Sequence, residues 1–245
     1  MIIEIKVRRC PKCGSIDIIK NGHDYKGAQK YHCKTCGAYG TLDKKRASAE
    51  AQRQQVMDAY FERASMRGIK RVFSVSRYYL ARWLLETVAS LPPLSATLVK
   101  WQPGDVLELD ELWSFVLKKS QKRWVWLALC RRTRQIVACV IGDRSEDTCR
   151  ELWERIPTEY KASRTYSDFW DAYRKVFPED THQSVGKESG QTNHIERWNN
   201  TLRQRLSRFV RKTLSFSKSD RFHEVALKLF IHRYNRLRMQ AISQF

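Results

Sequence analysis

The chain contains no apolar run of transmembrane length, so a helical membrane protein is not expected. Residues 1–6 set Glu4 among apolar neighbours, so no signal peptide is expected and the cytoplasm, with the nucleoid, is the expected location. Acidic residues are the second shortage: 26 Asp and Glu stand against 46 Lys and Arg, a net charge of +20. That imbalance exceeds what solubility needs and points to a polyanionic partner, nucleic acid first. Apolar residues are not short. At 42% hydrophobic and 11% aromatic, 245 residues can bury one good core with smaller appendages, which excludes a disordered tail. Disulfides are not expected, because the seven cysteines are odd in number and four form two Cys-x-x-Cys units, which in a reducing compartment read as metal ligands.

Cys10-Pro11-Lys12-Cys13 and Cys33-Lys34-Thr35-Cys36 are separated by nineteen residues, the spacing of paired knuckles in a small zinc ribbon. Residues 16–20 and 29–32 read as short strands flanking an Asn21-Gly22 turn. A unit this small has no core, so a structural Zn²⁺ on Cys10, Cys13, Cys33 and Cys36 would supply its folding energy. His23 and His32 are read as surface residues, since four thiols complete the ligand set.

From about Ala47 the apolar residues recur at helical spacing, as Val56, Tyr60 and Ala64, then Ile69, Val72 and Phe73, then Leu80, Trp83 and Leu84. Three short helices are predicted. The break before Arg77, with Ser76 as N-cap, is that of a helix-turn-helix whose second helix would enter a DNA major groove and expose Arg77, Tyr78 and Arg82. An ordinary three-helix packing unit is the alternative. Residues 90–104, with Pro92-Pro93 and Pro103-Gly104, have no period and read as a linker. The expected domains are a ribbon at 1–45, a helix-turn-helix at 46–89, a linker at 90–104 and a second domain at 105–245.

The second domain opens on Val106-Leu107-Glu108-Leu109-Asp110-Glu111-Leu112-Trp113-Ser114-Phe115, good strand formers interrupted by acids. A carboxylate in a half-buried strand costs several kcal/mol unless paired or bound to metal. Alternation puts Asp110 and Glu111 on opposite faces, so only one can serve a shared site; Glu108 shares the face of Asp110, as a supporting group or a surface acid. Apolar runs at 124–130 and 136–141 suit a hairpin at the centre of a sheet covered on both faces. A helix capped by Ser145 follows, with Cys149, Leu152, Trp153 and Ile156 on one side and Pro157 at its end. Then come a strand at 164–168, a helix at 169–176, a strand at 182–185, a Gly-bearing loop at 186–190 and a long helix. That helix sets Ile195, Trp198, Leu202, Leu206 and Phe209 on one stripe and Glu196, Asn200, Arg203 and Ser207 on another. Cys130, Cys139 and Cys149 read as core thiols.

Asp168 at a strand end and Glu196 at a helix start could join the first-strand acid around two hard cations, with Asp171, one helical turn on, competing with Asp168. Between residues 197 and 238 twelve basic residues face only Asp220 and Glu224, which implies a phosphate-contacting surface that includes Arg203, Arg205, Arg208, Arg211 and Lys212.

Three strands, a helix, a strand, a helix, a strand and a helix, with acids so placed, is the plan of an RNase H-like α/β fold, a mixed sheet with helices on both faces. Over essentially its whole length the sequence also resembles the transposases of the insertion-sequence-one family. The resemblance rests on the cysteine knuckles and helix-turn-helix, Asp110-Glu111-Leu112-Trp113, Tyr166-Ser167-Asp168-Phe169-Trp170-Asp171-Ala172-Tyr173 and His194-Ile195-Glu196-Arg197-Trp198-Asn199. It implies an Asp-Asp-Glu transposase in which Asp110, Asp168 and Glu196 hold two Mg²⁺, with Mn²⁺ as an alternative, and Arg203 holds a phosphate. It implies double-stranded DNA as partner, both inverted-repeat ends and target, a homo-oligomer of at least two copies on paired ends, and cleavage at the 3′ ends followed by joining. The ribbon and helix-turn-helix made alone would act as a repressor. Two other classes remain open: a regulator with an inactive second domain, and a metal-dependent nuclease that does not join.

Overall fold

The computed structural model describes residues 7–25, 27–42 and 45–244, without the side chains of 45–49. The expectation made for residues 1–6 lies outside the described residues. The chain forms two compact units, Met1–Gln55 and Val56–Phe245.

In the first unit, β1 (Ile18–His23), β2 (Gln29–Cys33) and β3 (Tyr39–Thr41) pair antiparallel in sequence order. The expected Asn21-Gly22 turn is instead a bulge within β1, between Lys20 and His23, with Gly22 at φ +65°. The reversal falls later, where Asp24 N–H donates to Ala28 O at 2.9 Å and Asp24 Oδ1 accepts from Ala28 N–H at 2.9 Å. An Asx-type turn thereby supersedes the Asn-Gly signal. Each knuckle closes on a glycine of positive φ: Gly14 at +77° donates to Cys10 O, and Gly37 at +70° donates to Cys33 O.

The second unit begins inside α1 (Lys45–Tyr60), followed by α2 (Met66–Phe73) and α3 (Arg77–Ala89). Ser76 caps α3 by accepting from Tyr79 N–H, as its position implied. Val56, Tyr60, Ile69, Leu80 and Leu84 join one apolar cluster with Leu112, Val125, Leu127 and the C-terminal helices, so the end of α1, α2 and α3 share a core with the sheet. Residues 90–104, read as a linker, are strapped down: a turn of 3₁₀ helix at Leu94–Thr97 buries Thr97, whose carbonyl accepts from Gln135 Nε2 and whose hydroxyl accepts from Asn235 Nδ2.

The sheet comprises β4 (Val106–Phe115), β5 (Lys122–Cys130), β6 (Ile136–Gly142), β7 (Arg164–Ser167) and β8 (His182–Ser184), in the order β6-β5-β4-β7-β8. The first three are antiparallel, and β7 and β8 add in parallel, so the fold is mixed α/β. One face packs α4 (Glu146–Arg155) and α5 (Asp171–Val176), with Leu107, Leu109, Trp126 and Ala128 beneath Cys149, Leu152 and Tyr173. The other face packs α6 (Asn193–Arg205) and α7 (Asp220–Ile242). Cys130 and Cys149 are wholly buried and Cys139 lies against the core.

The long terminal helix of the sequence reading is two helices. α6 ends at Arg205; Leu206 has left helical geometry, at φ −117° and ψ 104°, and a 3₁₀ turn, Ser207–Phe209, follows. Leu206 and Phe209 are buried as the apolar stripe required, and Ser207, placed on the stripe of Glu196 and Arg203 by its spacing, is buried with them.

Candidate active site

The centre of β4 carries three acids on two faces. Glu108 and Asp110 point toward α6, while Glu111 points toward α4 and α5. In the parallel ladder Glu108 is level with Tyr166; extending that register by two residues brings Asp168, just past the end of β7, level with Asp110. Burial, then the charge of Glu111, then those of Asp168 and Glu196 push the Asp110 carboxyl up to about 7. The charges of a strand-end and a helix-start carboxylate thus act on the carboxylate at the strand centre. Asn199 Nδ2 donates to Asp110 Oδ2 at 2.7 Å, and Thr192 Oγ1 donates to Glu196 Oε1 at 3.3 Å.

Glu108 is not a surface acid: its side chain is 0% exposed. Its Oε2 accepts from the N–H groups of His194 and Ile195 at 2.9 and 3.1 Å, while Oε1 meets His194 Nδ1 at 2.6 Å and accepts from Arg131 Nε at 2.8 Å. Those amides belong to the first turn of α6, which have no partners within a helix, and Thr192 makes no side-chain cap. A carboxylate from β4 therefore caps α6, favourably placed against the helix dipole, and ties the helix that carries Glu196 to the strand that carries Asp110. Burial raises the Glu108 pKa, opposed by Arg131 and by the Ile195 N–H.

Asp168 Oδ1 accepts from Trp170 N–H at 3.0 Å, closing the β7–α5 turn. Asp171, its competitor, is 60% exposed and pairs with Arg174 on the surface of α5. Glu111 is satisfied on its own face, where Oε1 accepts from Arg144 Nε at 2.7 Å and Oε2 from Tyr173 Oη at 2.9 Å. Arg144 lies 3.9 Å above the Trp170 ring and 4.7 Å from that of Trp124, so the cation is held rigidly. Burial, then the charge of Asp168, raises the Glu111 pKa. The sequence assigns no role to Asn199, Arg144 or Tyr173, although Asn199 and Tyr173 lie within the motifs quoted above. Only Asn199 left a signal, three residues after Glu196 and so on a neighbouring helix face; Arg144 and Tyr173 meet Glu111 only through tertiary packing.

Arg203 lies near the acids, half-buried, with Nη2 3.4 Å from Trp113 O and Nη1 buried without a hydrogen-bond partner. Burial, then Arg211, lowers its pKa, while the charge of Asp110 opposes this. Arg211 and Lys212 are exposed. Arg208 corrects the sequence reading: it is 9% exposed, and its Nε donates to Tyr60 Oη at 2.7 Å, so it braces the core instead of reaching outward. Arg205 is engaged as well, with Nε 3.0 Å from Glu62 Oε1. On α3, Arg77 and Tyr78 are exposed, and Arg82 is exposed while paired with Glu86.

In the first unit the ligand atoms of Cys10, Cys13, Cys33 and Cys36 lie within 4.8 Å of one another, a set compatible with zinc; no other group this tight occurs among the described residues. Cys10 and Cys36 sulfurs are 3.7 Å apart, and Cys13 and Cys33 sulfurs 3.6 Å. The N–H groups of Cys13 and then Lys12 pull the Cys10 thiol down to about 6, which favours the ligating thiolate. No helix among the described residues is long and apolar enough to cross a membrane.

Residues 106–236 match the model of the IS1 transposase family. The chain is 40% identical over 129 residues to the insertion element iso-IS1n protein InsB of Shigella dysenteriae, covering 53% of this chain and 95% of that protein. It is 32% identical over 163 residues to the insertion element IS1 protein InsB of Escherichia coli, covering 64% of this chain and 95% of that protein. A further InsB, from insertion element IS1 4 of Escherichia coli strain K12, is 35% identical over 146 residues, or 58% of this chain and 84% of the relative.

Proposed function

The chain belongs to the IS1 transposase family, and from that premise we propose that it cuts DNA at the inverted-repeat ends of its element and joins the freed 3′ ends to target DNA. The observation that carries the reading is the convergence of the charges of Asp168 and Glu196 on the half-buried Asp110. A carboxyl pushed up to about 7 by burial and three neighbouring carboxylates is an anionic site short of positive charge. Hard divalent cations, which take carboxylate oxygens, fit that donor set. In this reading Asp110, Asp168 and Glu196 hold two Mg²⁺, in an RNase H-like arrangement of the sheet. Bound there, the ions would lower the pKa of an attacking hydroxyl and stabilise the leaving oxygen of an in-line displacement.

The chain's own groups orient the parts. Asn199 holds Asp110, Glu108 holds the start of α6, and the half-buried Arg203 adds its positive charge beside Asp110, where a phosphate would sit. The four thiols hold a structural Zn²⁺, and Arg77, Tyr78, Arg82, Arg211 and Lys212 contact DNA. Two copies acting on paired ends complete the assembly.

The test is incubation with duplexes bearing the inverted repeats that flank its own coding sequence, a target plasmid and Mg²⁺, scored for nicks and for joints. Both products are expected. Nicks without joints would make it a nuclease, and end binding with neither product a regulator.

A further inference from the structure

Resting on that reading, we propose that Phe169 is a stacking platform for the nucleobase next to the scissile phosphate. The ring is 72% exposed, in the turn between the end of β7 and the start of α5. Its neighbours are packed: Trp170 lies under Arg144, Tyr173 meets Trp126 at 5.3 Å, and Phe177 meets Trp153 at 4.9 Å. Among the described residues no ring or cation is recorded against Phe169. Unlike the exposed Tyr78 and Tyr79, which contact each other at 5.7 Å and carry hydroxyls, it offers only an apolar face.

An isolated exposed apolar residue needs no explanation in general. Two features set this one apart. It directly follows Asp168, so its Cα is about 3.8 Å from that of an acid of the site. The turn that presents it is held on both sides: Asp168 Oδ1 accepts from Trp170 N–H at 3.0 Å, and Ser167 Oγ donates to Asp168 O at 2.8 Å. The backbone at Phe169 is therefore already ordered, so stacking a flat ligand there costs little further conformational entropy.

The ligand's chemistry follows from the site. A strand whose phosphate is held at Asp110, Asp168 and Glu196 carries its nearest base one sugar away, at a nucleotide repeat of about 3.4 Å. Every base has a π-face, so an aromatic ring binds it without reading sequence, and removing such a ring weakens binding about five- to hundred-fold. The base must have a free face, as at a strand end or where the duplex is unstacked. A net charge of +20 favours this nucleic-acid partner over a protein surface.

The experiment crosses Phe169→Ala and Phe169→Trp with abasic substitutions placed singly at the two nucleotides on each side of the scissile phosphate. Single-turnover cleavage and joining are measured in Mg²⁺ below saturating DNA. At one of the four positions, base removal should slow the wild type about ten-fold and leave Phe169→Ala, already about ten-fold slower on intact DNA, unchanged. Phe169→Trp should restore the wild-type rate and its dependence on the base. Equal slowing of wild type and Phe169→Ala at every position, or a wild-type rate for Phe169→Ala, overturns the stacking role and leaves the transposase reading standing. A Phe169→Ala defect seen only as altered sedimentation of DNA-free protein would assign the ring to contacts between copies and overturn it too. A wild type that neither nicks nor joins removes both readings.

Discussion

The ribbon brings four thiols within 4.8 Å of one another from two knuckles of one small sheet, and among its described residues Tyr31 is the only other buried apolar side chain. The acid cluster draws its members from β4, the end of β7 and the start of α6, above and between two apolar clusters that include Trp126, Trp198, Tyr173 and Phe230. Ligands close in sequence with no core under them make a site that must be folded by what it binds. Ligands scattered in sequence over a packed core make a site that the fold assembles first, at an electrostatic cost borne by the core. The two acids of β4 that face α6 sharpen the contrast. Glu108 is fully buried and answered by Arg131, His194 and two amides, whereas Asp110, two residues on, has one amide side chain, the Glu111 N–H and three like charges.

The largest expected effect would break the comparison at the ribbon. Cys13→Ser should abolish the fold of residues 7–42, because structural zinc contributes on the order of 10 kcal/mol and the unit has nothing comparable in its core. Hydrogen exchange should show amide protection lost there and kept in the sheet; protection retained in the ribbon would remove metal as its organiser.

At Asp110 activity and stability should part company. Asp110→Asn should slow cleavage more than about a thousand-fold, roughly 4 kcal/mol in the barrier. Stability in EDTA should move the other way. The folded pKa, about 7, lies above the ordinary 3.8, so this group's contribution is full below 3.8 and is lost as pH rises through 7. Wild type in EDTA should therefore lose stability between pH 4 and about 7, and Asp110→Asn should lose less; parallel melting curves for the two across that range would contradict the crowding.

Glu108→Ala should do the reverse, destabilising by about 3 kcal/mol, since the Arg131 guanidinium and two helix-end amides lose a buried partner. Urea unfolding with and without Mg²⁺ checks it, and an unchanged midpoint would mean that the cap is replaceable.

The smallest effect distinguishes two arginines. Arg203→Ala should slow the chemical step at saturating DNA about ten-fold, near 1.4 kcal/mol, whereas Arg211→Ala should weaken binding and lower its salt dependence. Equal single-turnover rates for the two would make Arg203 one more backbone contact.

Local pattern made much of this molecule legible. Two Cys-x-x-Cys knuckles, the cap at Ser76, the apolar runs of β5 and β6 and the cap at Ser145 are signals carried within a few residues, and each stands where its spacing put it. Misreadings arose where neighbours outside the local window decide. Asn21-Gly22 reads as a turn, but Asp24 closes the reversal further along. Arg208 reads as one of a basic run, but Tyr60, 148 residues away, takes its guanidinium into the core.

What the sequence by itself determined was the set of acids and the elements that carry them, because a carboxylate in a strand former's place is anomalous however the chain folds. Which of them meet was decided only by the tertiary structure. The parallel register of β4 and β7 puts Asp168, and not Asp171, level with Asp110, and the capping of α6 by Glu108 brings Glu196 to the same place. Register and docking are set by contacts between residues 58 to 86 positions apart, and no periodicity along the chain encodes those.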